Sequence, residues 1–526
     1  MTLPDQQPTD LETTMSDVPH YKMLIGGEWV DSAERYEIRS PATDELVATV
    51  AKAGVTDVDA AVAAAKASFE AGEWRRTSPE DRANVIATVA GRLYERMEEL
   101  AVLQTRENGA TIRVTGALHL GLSVMQLQYL VEVAKSYQYE VAGPDVTAPL
   151  PFSGIVRREP VGVVAAIVPW NIPLLTLVWK VGPALAAGCS VVMKPDEHAP
   201  LVCMELAKEF EAAGLPKGVL NALVGDGEPV GAHLAGHPDV RKVAFTGSTE
   251  VGKAILRQSA DTVKRVTLEL GGKGPNIVLE DADLSVAVDG ALYAAMANNG
   301  EACEAGTRLL VQSSIAQEFT VRLVERARTL TLGDPLDPGT DVGPVITKEA
   351  ETRILGFLER AKAEGAVAVV GGGRPQGAQY ETGNWIEPTV FTNVTNDMDI
   401  ARCEVFGPVL SVLTFDSVDE AIKIANDTDY GLSAGVWSQD EEKAIDVARQ
   451  LEAGMVYVND WHVINPNYPF GGFKQSGLGR EGGPHSIDEY TESKYIAIDR
   501  AGPIENRPFA LVIGTPPPSA PVQAGA

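Results

Sequence analysis

The period of the apolar positions changes along the chain, and the changes divide it. Asp57 to Ala71 is an alanine-rich stretch that reads as a helix. A second helix opens at Ser78-Pro79-Glu80-Asp81, with Ser78 placed to cap it and Pro79 at its first position, where a missing N–H costs nothing. Its Val85, Val89, Leu93 and Leu100 line one face at helical spacing. A third helix is expected from roughly Thr115 to Tyr137. From Val161 the pattern shifts to short apolar runs, each followed by a helical segment: Val163 to Val168, Ser190 to Met193, Asn221 to Val224, Lys242 to Phe245 and Val263 to Leu268. Runs apolar on both sides, alternating with helices, predict a parallel sheet covered on both faces. After Gly271 the alternation resumes at Asn276 to Leu279, Arg308 to Val311, Val367 to Val370, Ala434 to Trp437 and Met455 to Val458. Two such α/β units in one chain place a ligand cleft between them.

The uncharged stretch Val161 to Trp179 is long enough to cross a bilayer, but Pro169, Asn171 and Pro173 interrupt it. A buried strand, a turn and a helix from Leu174 account for it better. Residues 1–20 and 502–526, polar or proline-rich, read as disordered tails. A chain of 526 residues exceeds one small core and implies two or three domains. Its net charge of -28 argues against nucleic acid and against an anionic membrane surface, since both need a basic patch. Cys189, Cys203, Cys303 and Cys403 lie far apart with no CxxC pair, and the histidines form no HExxH, so no metal site is expected. Few cysteines, and an N-terminus without a basic start and apolar core, fit a reducing cytoplasm.

Candidate chemistry gathers at the ends of the apolar runs. Asn299-Gly300-Glu301-Ala302-Cys303-Glu304-Ala305-Gly306 sets a thiol on a glycine-flanked turn. A thiolate is a strong nucleophile, although most free cysteines are small buried hydrophobes. Leu268-Glu269-Leu270-Gly271-Gly272-Lys273 places one acid at an apolar strand end, where burial raises a carboxyl towards the range of a general base; a structural carboxylate fits the same residues. Pro169-Trp170-Asn171-Ile172-Pro173 holds an amide that either donates to an oxyanion or satisfies its own turn. Phe245-Thr246-Gly247-Ser248-Thr249-Glu250-Val251-Gly252 leads a strand into a helix N-terminus, which is an anion site or simply a helix capped by Ser248. Lys194-Pro195-Asp196-Glu197 ends a strand where open α/β sheets bind ligands. A carboxylate there accepts ribose hydroxyls and repels a 2'-phosphate, while a solvated charge pair is the plainer alternative.

Together and in this order, these stretches resemble the aldehyde dehydrogenase superfamily over roughly Met23 to Ile498. PWN-P, KP-E, FTGSTEVG, LELGGK and the Cys303 turn are joined by EVFGPV at Glu404 to Val409, NDTDYGLSAGVWS at Asn426 to Ser438 and PFGGFKQSGLGRE at Pro469 to Glu481. The resemblance implies an α/β fold with two Rossmann-type parallel-sheet domains and a small β oligomerisation unit. The NAD-binding domain would take residues 21–138 and 160–270, the catalytic domain 271–484, and the oligomerisation unit 139–159 and 485–501. A homodimer or homotetramer is expected.

The resemblance further implies that Cys303 attacks an aldehyde, with the Asn171 side chain and the Cys303 N–H as oxyanion hole. Hydride would pass to NAD, and Glu269 would activate the water that hydrolyses the thioester. Lys180 and Glu481 match positions that hold this base and relay its proton. Lys194 and Glu197 match adenine-ribose contacts, and Gly225, Gly247 and Ser248 the pyrophosphate turn. Glu404 and Phe406 match nicotinamide contacts, with Ile167, Pro169, Trp170 and Leu270 among the remaining cofactor positions. Glu197 favours NAD over NADP. Leu175, Thr176, Trp179, Ala302, Ile464 and Phe470 would line the substrate tunnel, and their mainly apolar character points to a hydrophobic aliphatic or aromatic aldehyde. Glu301 and Glu304 flank Cys303, and their charges, if close, raise its pKa. A CoA-acylating dehydrogenase and a non-catalytic structural relative are the alternatives; Glu269 counts against the first, and the intact Cys303, Glu269 and Asn171 against the second.

Overall fold

The computed structural model describes residues 18–514. Most of the expected N-terminal tail therefore lies outside the described residues, but His20–Tyr21 is a strand that pairs in parallel with Leu46–Ala51. Eight strands form the first sheet. Its centre is parallel and runs Arg265–Glu269, Lys242–Thr246, Val163–Ile167, Ser190–Lys194, Leu220–Ala222. The middle three are buried along their whole length, which is why they read as unbroken apolar runs. The edges are antiparallel: Met23–Ile25 with Glu28–Val30 on one side, the two-residue strand Gly477–Leu478 on the other. Register places Ile167 beside Lys194 and Phe245, and Thr246 beside Glu269. Four neighbouring strands thus end in one row, the edge at which open α/β sheets bind ligands.

The second sheet has seven strands, in the order Val367–Val370, Thr389–Thr392, Val409–Phe415, Arg308–Gln312, Pro275–Val278, Ser433–Trp437, Met455–Val458. Only its first pair is antiparallel. Ile277, Leu310, Phe391 and Leu413 enter one apolar cluster, and Val278, Leu309, Val390 and Leu410 another, so alternate residues feed the two faces. A third sheet joins Thr491–Asp499 to Phe152–Pro160, antiparallel along their full lengths, and Glu140–Ala142 to the latter. No helix among the described residues is long and apolar enough to cross a membrane.

Several expected boundaries move for physical reasons. The helix read through Leu100 is two helices, Pro79–Glu95 and Met97–Asn108. They break at Arg96, whose φ of -103 and ψ of 13 leave the helical region while its guanidinium reaches Glu99, Glu205 and Glu209. Ser78 caps the first of them, accepting from the Asp81 N–H at 3.1 Å. The stretch from Thr115 opens as a wide π-turn, Thr115–Gly121, before the α-helix Leu122–Ser136. The uncharged segment resolves into the strand Val163–Ile167 and the fully buried helix Pro173–Ala187, which starts at the proline rather than at Leu174. Residues 502–514, expected as tail, carry the turns Ile504–Asn506 and Ala510–Ile513, tied back by Arg507 to Asp499 at 2.6 Å.

Candidate active site

The two large sheets are joined by a five-residue connector, Leu270 to Gly274, between the strands Arg265–Glu269 and Pro275–Val278. Its backbone is tied to both sides. Leu270 N–H donates to the Ser476 carbonyl (2.9 Å), Gly272 N–H to Glu404 Oε1 (3.0 Å), and the Gly271 carbonyl accepts from Ser476 Oγ (2.7 Å). Its glycines are required by close approach. A Cβ on Gly272 would lie 2.4 Å from the Cys303 carbonyl oxygen, and one on Gly271 2.4 Å from Glu404 Oε2.

Cys303 follows the helix Leu284–Met296 and a short turn in which Asn298 and Asn299 both take left-handed backbone, φ 55 and 58. These asparagines secure the turn. Asn299 Nδ2 donates to the Gly109 and Pro344 carbonyls, both at 2.9 Å, and Asn298 Nδ2 to the Glu301 carbonyl at 2.9 Å. Asn171 Nδ2 donates to that same carbonyl at 2.8 Å, and its backbone carbonyl accepts from Asn108 and Asn298. One Asn171 amide hydrogen is thus used to fix the side chain beside the Cys303 turn, and the second is free to donate.

The flanking acids turn different ways. Glu301 points away and accepts from the Ile346 N–H at 3.1 Å. Glu304 stays close. Burial holds the Cys303 thiol well above its ordinary value, and Glu304, Glu404 and Glu269 push it further in that order. Its own backbone N–H, directed at the sulfur, opposes them.

Glu269 is 3% exposed, and neither carboxyl oxygen meets a protein hydrogen-bond donor. Burial raises its pKa well above the usual carboxyl range, Glu481 adds to the rise and Lys180 opposes it. Lys180 Nζ donates to Glu481 Oε1 at 2.6 Å and to Thr246 Oγ1 at 2.5 Å, all three groups being buried. Glu481 reaches this place because Gly477–Leu478 pairs with Leu268 and Glu269, and Glu481–Gly482 pairs with Pro469–Phe470.

Leu175, Trp179 and Phe470 are buried in one apolar cluster with Leu122 and Leu432, and Cys303 and Ile464 pack at its margin. Trp179 and Phe470 stack with centroids 4.7 Å apart. A cavity of about 540 Å³ is lined by Trp179, Met455, Tyr457, Ile464, Tyr468 and Phe470. The Trp179 Nε1–H has no protein acceptor. Ala302 is buried beside the cysteine, and Thr176 spends its hydroxyl on the Ile172 carbonyl of its own helix at 3.0 Å.

The remaining residues sit along the row of strand ends. Lys194 Nζ lies 3.3 Å from Glu197 Oε2. Ser248 caps the helix Thr249–Ser259, accepting from the Val251 N–H. Gly225 and Gly247 give room to Val230 and Phe245, because a Cβ on either would lie 2.7 Å or 2.4 Å from those side chains. Leu270 packs with Ile167 and Phe245. Trp170, next to Pro169, meets Phe406 edge to face at 5.4 Å, and burial pushes Glu404 up to about 7.

Two groups have potential metal-ligand spacing, Asp59 with His233 and His237, and Asp196 with Glu197 and His198. In the first, His237 Nδ1 accepts from the Asp239 N–H, so its neutral ring presents Nε2–H rather than a lone pair to Asp59. In the second, His198 Nδ1 is paired with Asp196 at 2.6 Å.

A model of the aldehyde dehydrogenase family matches residues 29–496. The chain belongs to this family. It is 43% identical over 484 residues to betaine aldehyde dehydrogenase of Bacillus subtilis, covering 90% of this chain and 96% of that one. It is 42% identical to aldehyde dehydrogenase 1A1 of Mus musculus, covering 91% and 95%. Among solved structures, the NAD+ complex of aldehyde dehydrogenase from Bacillus cereus superposes with a TM-score of 0.88 at 42% identity, covering 94% and 99%.

As an aldehyde dehydrogenase, the chain holds site residues that its motifs did not reveal. Asn108, Asn298 and Asn299 fix the nucleophile turn, Thr246 shares Lys180, and Tyr457 with His462 meets Glu304. Asparagines next to a glycine at a helix end are a weak hint of left-handed backbone; the other contacts join residues far apart in sequence.

Two outcomes follow from this geometry. Gly272→Ala should displace the Cys303 turn and lower kcat by about 100-fold with the fold retained by circular dichroism, since misplacement of about 1 Å has that cost; an unchanged kcat would contradict the close-approach argument. Glu481→Gln removes a charge that raises Glu269 and frees Lys180, which lowers it. Glu269 then deprotonates at lower pH, so the rising limb of the kcat–pH profile should move towards acid. A move towards alkali would reverse the assignment.

Proposed function

We propose that this aldehyde dehydrogenase oxidises a hydrophobic aliphatic or aromatic aldehyde to its carboxylic acid, with NAD as hydride acceptor, Cys303 as nucleophile and Glu269 as base. The observation that carries the reading is the buried Glu269 carboxyl, without a protein donor on either oxygen, electrostatically coupled to Cys303 at the junction of the two sheets. A carboxyl left so costs stability, and a chemical role accounts for its being kept.

Burial and three acids keep the Cys303 thiol protonated near neutrality, so its proton must leave before attack. That proton passes to solvent water, and Glu269, itself raised, is kept for the hydrolytic step. The thiolate then forms a C–S bond to the carbonyl carbon, and the oxygen takes negative charge, stabilised by the free amide hydrogen of Asn171 and the Cys303 N–H. When bound, NAD accepts the hydride that this adduct releases. The thioester left on Cys303 is cleaved by water that Glu269 deprotonates; the C–S bond breaks and the acid departs. Lys180 and Glu481 hold Glu269 electrostatically and carry its proton away.

The residues present fit the cofactor. The row of strand ends offers Lys194 and Glu197 for the adenine ribose, the Ser248-capped helix N-terminus for the pyrophosphate, and Trp170, Glu404 and Phe406 on the nicotinamide side. Glu197 disfavours a 2'-phosphate. The apolar cluster around Cys303 supports the substrate class, while the stacked Trp179–Phe470 pair also offers a π face to a quaternary ammonium aldehyde, the class named by the Bacillus subtilis relative. A cytoplasmic homodimer or homotetramer, assembled through the third sheet, completes the proposal.

Absorbance of NADH with NAD and a panel of hexanal, benzaldehyde and betaine aldehyde tests it, beside Cys303→Ala. Turnover should be highest with the uncharged aldehydes, higher with NAD than NADP, and absent in the variant. Turnover surviving in Cys303→Ala, or appearing only with CoA, would overturn the assignment.

A further inference from the structure

The oxyanion side of the site is backed by two buried polar side chains, Gln104 and His119, that the oxidation chemistry does not use. His119 is 0% exposed and sits in the π-turn Thr115–Gly121, a wide turn of the kind found at functional places. Gln104, equally buried on the helix Met97–Asn108, meets His119 Nδ1 through its amide nitrogen. Nε2 of the ring and Oδ1 of Asn298 are also buried, and neither is satisfied elsewhere. The Asn298 side chain lies beside the ring and favours a proton on it, against the burial that brings His119 down to about 3. The Asn298 amide has one orientation, because its Nδ2 donates to the Glu301 carbonyl at 2.9 Å and to the Asn171 carbonyl at 3.3 Å. Its oxygen is the atom left over, and it needs a donor.

We propose that His119 donates from Nε2 to Asn298 Oδ1 and is thereby a positioning residue for the oxyanion hole. This role presupposes Cys303 as nucleophile and Asn171 as oxyanion donor. One arrangement of hydrogens satisfies the three side chains: Gln104 Nε2 donates to a bare Nδ1, and the ring hydrogen sits on Nε2, facing Oδ1. With the Gln104 amide reversed, the hydrogen would move to Nδ1. Nε2 and Asn298 Oδ1 would then be two buried acceptors with no hydrogen between them, which is costly. The donor matters because the Asn298 amide pins the nucleophile turn. Rotated by half a turn, it would set its oxygen against the Glu301 and Asn171 carbonyls, which now accept from its nitrogen. Asn171 Nδ2 donates to the same Glu301 carbonyl at 2.8 Å, so a shift of that carbonyl carries the oxyanion amide with it. His119 acts through Asn298 and Asn171, not on the aldehyde.

The test is the burst of p-nitrophenolate released when Cys303 is acylated by p-nitrophenyl acetate, read by stopped flow. This probe needs neither the native aldehyde nor NAD, yet its tetrahedral oxyanion forms at the same thiol and calls on the same donors. His119→Gln places an amide nitrogen near the former Nε2 and should keep the burst rate within about twofold of native. His119→Asn, polar but one carbon shorter, and His119→Leu should both slow it by about tenfold, less than the loss of an oxyanion donor outright. In an Asn171→Ala background, adding His119→Leu should cost nothing more, because the effect passes through the Asn171 amide. A merely structural role would slow the Gln and Asn variants alike and would add to the Asn171→Ala loss; either result overturns the proposal, as does a native rate in His119→Asn. Should His119→Leu fail to fold, the Gln and Asn pair decides. A native protein without a burst, or a burst surviving in Cys303→Ala, would overturn the nucleophile and this role with it, whereas a native burst indifferent to His119 overturns this role alone.

Discussion

The connector Leu270 to Gly274 is the constraint on which the site depends. It passes from one sheet to the other in five residues, and each side presses on it: Glu404 and the Cys303 turn from the second, the Ser476 loop from the first. Side chains at 271 and 272 would collide with Glu404 and with the Cys303 backbone. With glycine there, Glu269 at the end of one sheet and the Cys303 turn of the other meet at a single junction. The Leu270 N–H, the Gly271 carbonyl and the Gly272 N–H each find a protein partner, which helps a polar segment run through a dry interior.

Electrostatics at this junction carry a cost. Three acids, Glu304, Glu404 and Glu269, act on one thiol, and burial adds to their effect. Cations are supplied at one remove: Lys180 to Glu481, and Lys194 to Glu197. A nucleophile in such surroundings is unreactive until a base removes its proton.

Much of this was legible in the residues. The buried central strands read as apolar runs, the Ser78-Pro79 cap announced its helix, and the glycine-flanked Cys303 and Glu269-Leu270-Gly271-Gly272 marked the junction. The strands Thr389–Thr392 and Val409–Phe415 were missed because the short helix Asp399–Arg402 between them gives no periodic helical signal. The break at Arg96 was hidden because its cause is a set of ion pairs to Glu205 and Glu209, more than a hundred residues later. Contacts such as Asn298 with Asn171, or Glu304 with His462, arise only when distant segments fold together. Local pattern shows which residues are buried and where a chain turns; it does not show which buried polar groups will meet.

The most direct test of the account is intact-protein mass spectrometry of Glu269→Gln mixed with NAD and an aldehyde that the native protein turns over. If Cys303 is the nucleophile and Glu269 the base for hydrolysis, the acyl group should accumulate on Cys303 as a thioester, with NADH formed in a single burst that does not exceed the protein. Continued NADH release with no adduct, or an adduct on another residue, would contradict it.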